Sequence, residues 1–297
     1  MRKQFIENLI KLNKKKKNIY IILNDLGFNV IEPFYKIYPK KIFNAGVSEQ
    51  NMMGMSAGIA SEKGQVFAYS IANFSTFRCA EQIRNDVDYH NLSVTIVNVG
   101  AGVSYGNLGY THHSLQDYGL MRLFPNMMIT SPGDDMEVRA CMRYIVKNPQ
   151  PSYLRLAKTK NKILHKKIPS VKPGKWLPIS IKHPKSKKIF LTTGNIAGLA
   201  KGLLTRAKYN KFSLYSLPIW GMKFKNIQLN QLKKYDQVMI LEDHLEDGGF
   251  GSWIKESTNN RNIKTKIISK SIDKKIISKV GSEQYLLDKH YLKFFGK

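Results

Sequence analysis

Ser93-Val-Thr-Ile-Val-Asn-Val99 is the stretch on which the fold turns. It is rich in β-branched residues, too short for a helix, and closes on a glycine-rich segment, Gly100–Thr111. Those properties predict a strand. Before it, Ser75–Tyr89 reads as a helix and Val66–Tyr69 as a strand. Glu49–Lys63 reads as a helix of small and apolar residues, with Gly64 as its C-terminal cap. Ile19–Leu23 (IYIIL) is a further buried strand, preceded by a helix-like stretch ending in Lys14–Lys17. Lysines in a last helical turn suit the negative end of the helix dipole. After the glycine-rich segment, Met127–Ile129 and Tyr153–Leu156 read as strands. Ser131-Pro132, with Asp134 and Asp135 behind, marks a helix start. The alternation predicts an α/β fold with a doubly wound, mostly parallel sheet.

Residues 158–188 are Lys-rich, carry four prolines (Pro169, Pro173, Pro178 and Pro184), and predict a linker. Beyond them Ile189–Thr192, Phe212–Tyr215, Val238–Leu241 and Lys264–Ile268 predict the strands of a second, smaller α/β domain. The expected organisation is a first domain over 1–157, a linker over 158–188 and a second domain over 189–297.

The 297 residues contain no run of 18 apolar side chains and no secretory core in MRKQFIENLI, so a soluble cytoplasmic protein is expected. Cys79 and Cys141 supply neither a disulfide framework nor a metal-ligand cluster. The formal charge of +27 invites a nucleic-acid reading, but its distribution argues otherwise. Residues 1–41 carry +7, residues 42–157 carry −1 and residues 158–297 carry +21. Lys outnumbers Arg 39 to 9, whereas bidentate phosphate and base recognition favours Arg. No interleaved aromatic platform accompanies the charge. The lysines therefore read as a solvated surface.

The chemistry concentrates in Asn44-Ala-Gly-Val-Ser-Glu-Gln-Asn51, where a carboxylate enters a helix of small residues. Alone, Glu49 is a first-turn acid that suits the helix N-terminus. Four further features change its reading. These are Phe74 and Arg78 before Glu81-Gln-Ile-Arg-Asn-Asp86, Gly109-Tyr-Thr-His112, NPQPSYLRL ending near Arg155, and Leu241-Glu-Asp-His-Leu-Glu-Asp-Gly-Gly-Phe-Gly251. In that order the set resembles the pyrimidine-binding and C-terminal domains of the transketolase family, over nearly the whole chain.

The resemblance implies thiamine diphosphate as cofactor, with Glu49 at N1′ of its aminopyrimidine. Phe74 would pack on that ring, with Phe77 one turn on in a similar place. Asp25 matches an acidic position near the cofactor at the subunit interface. His112 matches a histidine facing substrate, and Arg2 and Arg155 match arginines that contact a sugar phosphate, a role suited to a guanidinium fork. His113 has no such match and reads as solvent-facing. Two departures bear on the substrate. Leu108 stands where an aspartate recognises a donor hydroxyl, and Gly100 stands where a second histidine contacts phosphate. A leucine accepts no hydrogen bond, so an altered donor is expected.

Gly133-Asp134-Asp135 is not the Gly-Asp-Gly motif that holds Mg²⁺ and diphosphate, and no metal ligand is assigned in this chain. The family's N-terminal domain would precede residue 1. The implied protein is thus the C-terminal subunit of a split transketolase, transferring a two-carbon ketol unit from a ketose (phosphate) donor to an aldehyde. A separate N-terminal subunit would bring the Mg²⁺ and diphosphate ligands, two copies of each chain forming a heterotetramer. The alternatives are a 2-oxoacid dehydrogenase β-type subunit, a deoxyxylulose-phosphate-synthase-like subunit, and a non-catalytic binding subunit.

Overall fold

In the computed structural model, which describes residues 1–158, 163–258 and 261–296, the apolar runs become the centres of two sheets. The first has seven strands in the order β10-β5-β6-β4-β3-β1-β2. Its members are β1 (Ile19–Leu23), β2 (Ile42–Asn44), β3 (Gln65–Ile71), β4 (Val94–Val99), β5 (Met128–Thr130), β6 (Ser152–Leu156) and β10 (Ile219–Trp220). All pairings are parallel except β10 against β5. The second sheet has the order β12-β11-β8-β9-β7. Its strands are β7 (Leu177–Ser180), β8 (Lys188–Thr192), β9 (Ser213–Ser216), β11 (Gln237–Leu241) and β12 (Lys266–Lys270). The doubly wound, mostly parallel architecture is as the alternation predicts.

Parallel strands need crossovers, and the crossover helices cover both faces. On one face the helices Arg2–Lys16, Glu32–Ile37 and Asp135–Lys147 bury Phe5, Leu9, Phe34 and Met142 against Phe67, Val97 and Leu154. The first of these ends on Lys17, which adopts the left-handed conformation (φ 61°) and donates its N–H to Asn13 O. On the other face the helix Glu49–Ser61 presses Met52 and Met53 onto Val66, Ala68 and Ile96. That second core continues without a break through Tyr118 and Trp220 to Ile189, Val238 and Trp253 under the second sheet.

Three expectations change. The helix expected over Ser75–Tyr89 is broken into Phe74–Phe77, Ala80–Gln82 and a π-helical turn, Ile83–Asp88. Buried polar side chains pull its start toward the sheet, with Ser75 Oγ donating to Asn98 Oδ1 and Thr76 Oγ1 to Ala72 O. The expected linker contains β7, which pairs antiparallel with β9 as an edge strand, a position where Pro178 is tolerated. Finally, β10, from beyond the linker, completes the edge of the first sheet, so the two layers interlock. Thr159–Lys162 of the expected linker lie outside the described residues. No described helix is long and apolar enough to cross a membrane.

Candidate active site

In a parallel sheet every strand delivers its exit loop to the same end, which is where α/β folds place ligands. Here β1 delivers Asn24 and Asp25, β2 leads to Glu49, β3 leads to Asn73–Arg78, and β4 opens the segment Gly100–His113. Glu49 is buried at the start of its helix. Its Oε1 accepts from Asn24 Nδ2 at 2.9 Å and from Arg78 Nη1 at 2.8 Å. The Arg78 guanidinium also lies 4.4 Å from the centre of the Phe74 ring. Beside the carboxylate, the buried Asn24 Oδ1 has no hydrogen-bond partner among the described residues.

Asn73 ties this group to the next loop, its Nδ2 donating to Thr111 O at 3.1 Å and to His113 O at 2.8 Å. His112 is thereby set edge-on to Phe74, with ring centres 5.2 Å apart. Its Nδ1 is 2.9 Å from Thr111 Oγ1, which leaves Nε2 for another partner. Burial holds its imidazole below the ordinary value, so it is neutral at pH 7. Glu49, Phe74 and His112, named from sequence, thus converge.

Asp25 sits at the exposed rim in the left-handed conformation (φ 58°). Its N–H donates to Asn44 Oδ1 at 2.9 Å and its carboxylate accepts from Asn44 Nδ2 at 3.0 Å, which brackets the exits of β1 and β2. Phe77 is exposed and, among the described residues, makes no ring contact with Phe74 or His112. Arg2 lies beside the phenols of Tyr69 and Tyr105. Burial raises both phenols and the guanidinium charge opposes that rise.

Arg155 is not available to a phosphate. It is 1% exposed. Its Nε donates to Asp117 at 2.7 Å, its Nη1 to Asp243 at 2.6 Å and to Tyr118, and its Nη2 to Ser114 O at 2.7 Å. Those bonds engage every guanidinium nitrogen in joining the two layers. His113 is likewise buried rather than solvent-facing, and burial lowers its imidazole. Gly133-Asp134-Asp135 is a helix start, as its Pro-preceded sequence suggests. Asp134 Oδ1 accepts from the Met136 and Glu137 amides, and Oδ2 from those of Leu164 and His165.

Sequence reasoning assigns no role to Asn24, Tyr105 or Lys158, and places Arg78 only within a motif. Lys158 leaves the end of β6 and puts its Nζ 4.6 Å from the centre of the Tyr105 ring. A signal exists for Asn24 and Lys158, since both follow the carboxyl end of a parallel strand. Nothing local marks Tyr105.

Residues 1–162 match the family described as transketolase, pyrimidine binding domain. A putative transketolase C-terminal section from Methanocaldococcus jannaschii is 32% identical over 98% of this chain and 91% of its own length. An apulose-4-phosphate transketolase subunit from Phocaeicola vulgatus is 36% identical over 53% of this chain and 51% of its own. Among solved structures, a split-gene transketolase described as an inactive β4 tetramer superposes with a TM-score of 0.84. That alignment covers 97% of this chain and 92% of the other at 24% identity.

Proposed function

This chain belongs to the transketolase family, and on that premise we propose that it is the C-terminal subunit of a split transketolase dependent on thiamine diphosphate. The pair would move a two-carbon ketol unit from a ketose (phosphate) to an aldehyde. The observation that carries the reading is the convergence of Glu49, Phe74 and His112 at the exits of β2, β3 and β4.

These residues fit an aminopyrimidine. Glu49 offers a buried carboxylate for a ring nitrogen, Asn24 Oδ1 is a buried acceptor without a partner among the described residues, and Phe74 forms an apolar wall. When bound, the cofactor supplies a carbon nucleophile that stores the electron pair released on C–C cleavage. Asn24 and Arg78 hold the Glu49 carboxylate in place, so that it would meet the ring nitrogen in a fixed geometry. His112, neutral and with Nε2 open, is placed to hydrogen-bond the substrate oxygen and to relay its proton. Arg2 and Lys158, each acting on Tyr105, would supply cations for a sugar phosphate. Asp25 lies at the rim, where a partner subunit would reach the cofactor.

Mg²⁺ and diphosphate ligands are assigned to a separate subunit, in an assembly of two copies of each chain. Among the described residues no group of His, Cys, Asp or Glu is arranged to hold a metal ion. The test is to co-express this chain with a subunit carrying Gly-Asp-Gly and a downstream Asn, then assay ketol transfer with cofactor and Mg²⁺. The pair should be active and the isolated chain inactive; full activity from the isolated chain overturns the split assignment. Glu49→Gln should assemble normally and lose activity about 100-fold or more, as expected for removing an acid–base group. An unchanged rate removes Glu49 from the mechanism.

A further inference from the structure

The helices Arg2–Lys16 and Asp135–Lys147 pack together on one face of the first sheet. Arg139 Nε donates to Gln4 Oε1 at 2.7 Å across their contact, and Asn8 Nδ2 meets Met142 Sδ at 3.5 Å. Each helix feeds a parallel strand, the first β1 and the second β6. Their carboxyl ends therefore stand at the end of the sheet opposite Glu49 and His112.

A cleft of about 740 Å³ opens between the two helices. Its floor is made by Asn8, Leu12 and Val146, all buried or half-buried. The charged side chains that line it are Lys11, Lys14, Lys15, Lys16, Arg143 and Lys147, every one a cation and every one exposed. None of the six makes an ion pair among the described residues. A smaller adjoining cleft holds Glu7, which lies 4.0 Å from Lys3. Helix dipoles account for Lys14, Lys15, Lys16 and Lys147, which stand in last turns. They do not account for Lys11 and Arg143, which stand earlier in their helices. Like charges gathered around one apolar floor repel one another, and an anionic occupant offsets that repulsion.

The lining discriminates among anions. A phosphate polymer would leave Leu12 and Val146 uncovered, and the walls are almost wholly lysine, not the arginine whose fork grips phosphate. No aromatic ring lines the cleft for a base to stack on. A bilayer is flat, whereas this seat is concave. A helix with an apolar stripe flanked by acids matches every part, its stripe covering the floor and its acids facing the cationic walls.

We propose that this cleft is a docking groove for an acidic amphipathic helix of a partner protein. It lies at the far end of the sheet from the candidate active site and rests on no part of the transketolase reading.

The full chain is titrated with a fluorescein-labelled peptide of about 15 residues, the length of the first helix, and followed by anisotropy. The peptide carries leucines at i, i+3, i+4 and i+7 with glutamates on either side. A scrambled peptide of the same composition presents no stripe and should bind about 10-fold more weakly. Lys11→Glu with Arg143→Glu should weaken the amphipathic peptide about 10-fold or more, and Leu12→Ser about 3- to 10-fold. Lys182→Glu with Lys185→Glu makes the same change in net charge on exposed side chains outside the cleft, and should alter binding less than about 2-fold.

Equal weakening by the two charge-reversed pairs, or equal binding of the two peptides, overturns the proposal, because net charge alone would then explain the affinity. Tighter binding of inorganic polyphosphate or of phosphatidylserine vesicles, abolished by Lys11→Glu with Arg143→Glu, also overturns it and gives the cleft to a phosphate-bearing ligand.

Discussion

The Glu49 end of the first sheet and the junction around Arg155 are built from the same chemistry, an arginine paired with carboxylates beside a histidine and an aromatic ring. At the open end Arg78 reaches Glu49 at 2.8 Å and the Phe74 ring at 4.4 Å, with the guanidinium half exposed. At the junction Arg155 reaches Asp117 at 2.7 Å, Asp243 at 2.6 Å and the Tyr118 ring at 4.4 Å, with every partner buried. Distances and residue types barely differ. What differs is water. The open group keeps an exposed donor within reach of a ligand, whereas the unbonded oxygens of the sealed group, Asp117 Oδ1 and Asp243 Oδ2, are buried. The sealed group spends its hydrogen bonds on holding two layers together, because a buried charge without partners costs several kcal/mol. Proximity to carboxylates is therefore no guide to which arginine can bind substrate; burial is.

The junction gives the largest effect. Arg155→Met leaves Asp117 and Asp243 buried without their common cation. Asp117 is the acid held ionised: burial alone would raise it, but the Arg155 charge and the Tyr153 hydroxyl outweigh that. Burial pushes Asp243 up to about 6, and His244 beside them is held down to about 4 and stays neutral. Removing the cation should cost about 3–5 kcal/mol of unfolding free energy, measured by urea titration. A loss below about 1 kcal/mol would contradict the charged assignment and place the junction with ordinary surface pairs.

A smaller effect separates the two regions by pH. Glu137 lies on the sealed side, accepting from the Gly133 amide at 2.7 Å and the Ser216 hydroxyl at 3.1 Å, with His165 Nδ1 at 3.8 Å. Burial raises it from 4.5 to about 7. The folded state then binds more protons than the unfolded state between those two values, so stability falls as pH rises through that window. The share of the slope due to Glu137 should approach about 1.4 kcal/mol per pH unit. His165 is also raised, since its bond to Asp134 and the acids beside it overcome burial; its contribution is lost as pH rises above 6.5. Both groups act in the same direction. Urea unfolding at pH 5, 6 and 7 should show the decline, and Glu137→Gln should remove its share while Glu242 and Asp243, raised by burial to about 8 and about 6, keep theirs. An unchanged slope would mean that the carboxyl is ionised throughout.

The sequence exposes the first region better than the second. IYIIL and SVTIVNV are apolar because both faces of a parallel sheet are covered, so local pattern alone locates β1 and β4. The aromatic and the histidine of the open end follow β3 and β4, whose exits local pattern also locates. By contrast β10 is two residues long and exists only because β5 lies beside it, and β2 is a half-exposed edge of three residues. The break after Phe77 depends on Ser75 meeting Asn98, a partner 23 positions away. Arg155 misleads for the same reason. Its partners Asp117 and Asp243 lie 38 and 88 residues away, and no window that shows the arginine shows its burial.

The smallest effect sharpens the contrast most directly, because it applies the Arg155 substitution logic to a pair of nearly equal length. Arg78→Ala removes a 2.8 Å ion pair with Glu49, but the arginine side chain is 52% exposed and Glu49 keeps its bond from Asn24. Water can take the place of the guanidinium on that side. The unfolding free energy should therefore change by less than about 1 kcal/mol, against several for Arg155→Met. Salt should weaken the Arg78 pair and leave the Arg155 network untouched, since only exposed charges are screened. Equal losses in the two variants, measured by urea unfolding at low and high salt, would show that pair geometry and not access to water sets the value of these contacts. The division of the molecule into an end kept open for ligand and a sealed junction would then fail.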